Sequence, residues 1–159
     1  MMTGKRKRQR SGFSLLELVI VVVIIGIVAA IAIPRMSRGS AGAAEAALSG
    51  NLSVLRSAID MYAGEHGGTF PAVGDIEDQM TLYTDASGDT RSSKNSTYIY
   101  GPYLRKVPPL PVGARKGSTG IAATAGDTVG WIYTEASGDI KANCTDGETD
   151  ESGTPYNEY

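Results

Sequence analysis

Residues Gly12 to Pro34 read GFSLLELVIVVVIIGIVAAIAIP, and one side chain in this stretch is charged, Glu17. From Phe13 to Ile33 the run is 21 residues. As a helix rising ~1.5 Å per residue it spans about 31 Å, the thickness of a bilayer's hydrocarbon core. Ahead of it stand Lys5, Arg6, Lys7, Arg8 and Arg10, with no acid among residues 1–12. Such a cluster stays in the cytoplasm, which puts the body after Pro34 on the other side of the membrane. The competing reading, a buried core helix, fails because the remaining chain has too little apolar surface to wrap such a rod.

The rest of the composition agrees. A chain of 159 residues suggests one modest domain plus the apolar segment. Apolar content is 42%, but Phe13–Ile33 holds much of it, so the soluble core is small and leans on a long helix, an ion or neighbouring copies. Of fifteen Lys and Arg, five lie in residues 1–12, which leaves ten against all seventeen Asp and Glu, a net of −7. An acidic body without a basic stripe argues against nucleic acid as the main ligand. The single cysteine, Cys144, allows no internal disulfide.

An ordinary secretory signal is cut after its apolar region, at small residues. Ala29-Ala30-Ile31-Ala32 is a weak site of that kind and lies inside the run. The Arg10-Ser11-Gly12-Phe13 junction points instead to a cut before the run, which removes the basic leader and keeps the helix.

Gly12-Phe13-Ser14-Leu15-Leu16-Glu17, behind a short basic leader and ahead of Pro34, resembles the processing motif of type IV pilins and of the pseudopilins of type II secretion systems. The resemblance implies that a prepilin peptidase cuts after Gly12 and that Phe13 becomes the methylated first residue. It also gives Glu17 two readings. A carboxylate in lipid costs several kcal/mol unless neutralised or paired. Glu17 either stays at the headgroups with its own amine, or pairs with the Phe13 amine of a neighbouring subunit. The family favours the second, which fixes axial register because a slipped neighbour leaves two charges unpaired.

Pro34 ends the apolar run, and Arg35-Met36-Ser37-Arg38-Gly39-Ser40-Ala41-Gly42 is a poor helix former, so a weak or meltable segment is expected near residues 34–42. Helical periodicity then resumes: Ala41, Ala44, Leu48, Leu52, Leu55, Ile59 and Tyr62 make one apolar stripe, with Glu45, Arg56, Asp60 and Glu65 mostly off it. This predicts a helix over about 43–65, ended by Gly67-Gly68 and packed on a small sheet. Three later segments resemble major pseudopilins in order: Gly67-Gly68-Thr69-Phe70-Pro71, then Tyr100-Gly101-Pro102-Tyr103-Leu104-Arg105-Lys106-Val107-Pro108, then Gly130-Trp131-Ile132-Tyr133 with Ser137-Gly138-Asp139-Ile140-Lys141. Gly130–Thr134 and Asp139–Ala142 around a Gly-containing loop predict a hairpin, with Gly120–Thr124 as a third strand.

Asp146, Glu148, Asp150 and Glu151 crowd a Gly- and Ser-containing tail. Calcium takes several oxygens from such loops, and many major pseudopilins hold one near the sheet. The spacing here does not match that loop. The favoured reading is a solvated, partly disordered tail, with calcium at Asp146, Glu148 and Asp150 as the alternative.

Nothing points to catalysis. The one histidine, His66, sits at the predicted helix end, and HExxH, CxxC and GxxxxGK are missing. Asn51-Leu52-Ser53, Asn95-Ser96-Thr97 and Asn143-Cys144-Thr145 fit a glycosylation triplet, a pattern short enough to arise by chance.

The sequence therefore predicts an α+β, pilin-like fold: a long N-terminal helix, transmembrane in its first half, packed on a small antiparallel sheet. Its parts are a leader (1–12), a membrane and filament-core helix (13–33), a kinked linker and amphipathic helix (34–66), an irregular connection (67–115), the sheet (116–143) and the acidic tail (144–159). The resemblance implies a non-enzymatic filament subunit, closest to the major pseudopilin of type II secretion, with Gly12 and Phe13 for processing and Glu17 and Pro34 for assembly. Its implied partners are copies of itself, prepilin peptidase, the inner-membrane assembly platform, minor pseudopilins and the membrane. It would sit in a bacterial inner membrane with its body outside the cytoplasm, then in a periplasmic or surface filament. The alternatives are a type IV pilin of a surface pilus, against which the lone Cys144 counts, and a membrane-anchored binding module that never polymerises.

Overall fold

The computed structural model describes the backbone of residues 13–159 and the side chains of residues 13–31 and 39–159. The chain divides into two units, residues 1–39 and 40–159. The leader and Gly12 lie outside the described residues, as does the side chain of Pro34.

Helix α1 runs Leu15–Glu65. Residues 34–42, expected to be weak, are helical throughout. Propagation is far easier than nucleation, and helix runs into the weak stretch from both sides, with the strong formers Ala43 to Leu48 just after it. In the first unit the described large apolar side chains are exposed: Phe13 is 79% accessible, and Leu15, Val22, Ile25 and Ile31 also lie open. Among the described residues, no helix is long and apolar enough to cross a membrane. The expected span, Phe13–Ile33, ends within the residues whose side chains are not described.

In the second unit α1 behaves as its periodicity predicts. Leu48, Leu52, Leu55, Ile59 and Tyr62 are buried and Ala44 packs against them, while Arg56, Asp60 and Glu65 face water. The helix stops at a glycine pair with φ of +66° at Gly67 and +88° at Gly68, a left-handed turn that glycine enters without a Cβ penalty. The Gly68 N–H donates to Ala63 O at 2.8 Å, closing the Schellman ring.

Strands β1 (Tyr83–Thr84) and β2 (Thr90–Arg91) pair antiparallel after a short helix α2 (Ile76–Thr81). Strands β3 (Gly120–Ala122), β4 (Val129–Thr134) and β5 (Asp139–Ala142) form a second sheet in that order. The predicted hairpin is β4–β5, antiparallel from Trp131↔Ala142 to Thr134↔Asp139. The third strand joins it, but parallel to β4. Residues 123–128 carry the chain back before it reverses again, so β3 and β4 run the same way.

Alternation along the hairpin puts Trp131 and Tyr133 on the core side with Ile140 and Ala142, all at 2% exposure or less. They join one cluster with the α1 stripe, Ile76, Met80, Leu110 and Val112. Trp131 and Tyr133 are the largest of the fully buried side chains. The irregular region 67–115 is tied to the same residues. Trp131 Nε1 donates to Pro108 O at 2.8 Å, and the Tyr133 hydroxyl donates to Pro71 O at 3.0 Å. Three of the sequence segments singled out above therefore meet at one place, through groups that burial would otherwise leave unpaired.

Candidate processing and assembly site

Phe13 precedes the first helical residue, and Glu17 lies in the first turn of α1. Ser14 starts the hydrogen bonding, its carbonyl accepting from Leu18 N at 3.1 Å. An acid here suits the positive end of the helix dipole. Among the described residues Glu17 has no hydrogen-bond or ion-pair partner, although it is the one charge in an exposed apolar rod. The geometry thus brings Phe13 and Glu17 to one helix end, among exposed apolar side chains. Such an end can present one carboxylate and an apolar surface to another molecule.

The candidate calcium residues are placed differently. Glu148 turns both oxygens inward: Oε1 accepts from Ala114 N, and Oε2 from Thr145 N and the Thr145 hydroxyl. The N–H groups of Thr145 and Ala114 hold its carboxyl below the usual range. Asp150 accepts from the Tyr159 hydroxyl and from the N–H groups of Ser152 and Thr154, and the Tyr159 hydroxyl is the chief reason its carboxyl lies low. Asp146 accepts from Asn157 Nδ2. Calcium wants six to eight oxygens around one point. Among the described residues no group of three or more His, Cys, Asp or Glu is arranged to hold a metal. The Asn157 side-chain oxygen is buried without a partner, but one oxygen is no cage. As placed, these residues do not fit the ion.

What those residues do instead is fold the tail, which the composition had suggested was solvated. Glu151 N donates to Glu45, and Arg56 donates to the carbonyl oxygens of Ile140 and Tyr159. Cys144 is half-buried; burial first and Glu148 second push its thiol up to about 11. It is an inert packing group at neutral pH.

His66, too, serves structure. Its ring stacks on Tyr62 at 3.8 Å and nearly parallel. Its nitrogens sit 2.8 Å from Tyr62 O and 2.9 Å from Asp85 O, so the ring ties the end of α1 to the loop after β1. Tyr103 reaches the same helix end through Glu65. The sequence showed the histidine at a helix end but not the carbonyl 19 residues on that it meets.

A long N-terminal helix with an exposed apolar start and small sheets is an α+β arrangement consistent with a pilin-like fold. The comparisons agree: the prokaryotic N-terminal methylation motif matches residues 7–33. No curated protein and no solved structure matches the chain. The motif supports a type IV pilin-like, prepilin-processed subunit, consistent with the pilin and pseudopilin family. It implies processing by a prepilin peptidase and assembly into pilus-like filaments, and it marks proteins that are generally structural.

Proposed function

We propose that this protein is the major pseudopilin of a type II secretion system. The precursor is anchored in the inner membrane by Phe13–Ile33, cut after Gly12 and methylated at Phe13. The mature chains pack their apolar rods into a helical filament that pushes folded proteins outward. The observation that carries this reading is the exposed rod from Phe13 to Ile31, with Glu17 as its one charge, inside the matched motif. Cleavage creates an amine at Phe13, and the Glu17 carboxylate of a neighbour is its partner. Pro34 marks where the rod passes into the body. The meeting of the Phe70-Pro71, Pro108 and Trp131-Tyr133 segments favours the secretion subunit over a surface pilin, because those segments carry its resemblance. The half-buried, unpaired Cys144 points the same way, since it closes no C-terminal disulfide loop.

The test is Glu17→Ala. Membrane insertion and cleavage should persist while filaments on overexpression are lost. Filaments as abundant as in the wild type would sink the register mechanism. Filaments in neither protein would leave a tethered module that never polymerises.

A further inference from the structure

The three Asn-x-Ser/Thr triplets are not equivalent once folded. Asn143 is 4% exposed, and its amide donates to Val129 O at 2.7 Å and Gly126 O at 3.3 Å. Asn51 lies within α1, its amide committed to Pro109 O at 3.1 Å. Neither can enter a transferase without breaking the body. Asn95, Ser96 and Thr97 are all exposed, on the loop after β2.

That loop folds around the Asn95 side chain. Its Oδ1 accepts from Thr97 N at 2.8 Å and Tyr98 N at 2.9 Å, and Asn95 N donates to Tyr98 O at 3.3 Å. The amide nitrogen of Asn95 has no acceptor among the described residues, and the Thr97 hydroxyl is likewise unengaged. Both ends of the loop are pinned, by the β1–β2 pairing before it and the Thr84–Tyr100 bridge after it. A bulky addition at the tip would leave the core untouched.

We propose that Asn95 is an N-glycosylation acceptor that takes an oligosaccharide from a polyprenol-diphosphate-linked donor. In that transfer Asn95 Nδ2 bonds to the anomeric carbon of the first sugar as the bond from that carbon to the diphosphate oxygen breaks. One Nδ2 proton passes to a base of the transferase, and the diphosphate leaves with the bonding pair. The proposal rests on the topology given above, with the body outside the cytoplasm, where the loop would meet such a transferase.

The experiment is mass analysis of the proteolytic peptide spanning Asn95, using the full chain recovered from membranes of its native host. The wild type and Asn51→Gln should yield a glycopeptide. Asn95→Gln and Thr97→Ala should lose it entirely while filaments form as before. An unmodified peptide in the wild type, or added sugar that survives Asn95→Gln, overturns the proposal. Protease added to sealed, right-side-out vesicles from the same cells separates the two readings. A protected body sinks the topology, whereas an accessible body without sugar sinks only the modification.

Discussion

The two halves of α1 are both rich in aliphatic side chains, yet one half finds its partners at home and the other does not. Leu48, Leu52, Leu55 and Ile59 are at 1% exposure or less, while Leu15, Val22, Ile25 and Ile31 lie open. The pattern explains the split. The later half confines its aliphatic residues to one stripe, which one small sheet can cover. The earlier half is apolar all round, and no single face of a body this size could cover it. Apolar character therefore says that a surface will be buried, and its angular distribution says by how many neighbours.

The sharpest way to break this contrast is to truncate both halves. Trp131→Ala should cost the body about 3–5 kcal/mol, and Leu52→Ala about 2–5 kcal/mol, by lost transfer energy and the cavity left behind. Urea unfolding of the detergent-solubilised chain, followed by tyrosine fluorescence, reads both. Ile24→Ala, in the exposed rod, should shift the same curve by less than about 0.5 kcal/mol while weakening filaments. A large shift for Ile24→Ala would mean that the rod is packed within its own chain.

Smaller effects probe the tail. Glu148→Gln keeps the shape but weakens the bonds from Thr145 and Ala114, and should cost about 1 kcal/mol in the same assay. Acid should act on the same bonds. The folded carboxyls of Glu148 and Asp150 lie below their ordinary range, so their stabilisation is present above that range and fades as pH falls through the lowered values. Hydrogen exchange should then rise across residues 145–159 while the Leu48–Tyr62 stripe stays protected. The smallest effect expected is from calcium: adding it, or a chelator, should leave Tm unchanged, because the three candidate carboxylates already serve protein donors.

Much of this was legible in the sequence because it is periodic or local. The α1 stripe follows from spacings of three and four, and its end from the Gly67-Gly68 pair. The β4–β5 hairpin needs only its own two runs and the loop between them. What escaped was set by distant partners. The direction of β3 depends on the path of residues 123–128, and no residue in the strand announces it. The tail's acids look like solvation by composition, yet Glu148 is matched to an N–H 34 residues back in the chain. The N-terminal methylation motif was the clearest feature of all, because it is short and linear.

The docked tail has a consequence in time. Glu151 and Tyr156 reach Glu45 across 106 and 111 positions of sequence, and Tyr159 meets Arg56 across 103. Contacts so distant along the chain close large loops and form late. Glu45 and Arg56 of α1 therefore wait for these partners until residues 151–159 have been made. Were the subunit anchored by its first helix, as proposed above, that interval would hold assembly behind synthesis.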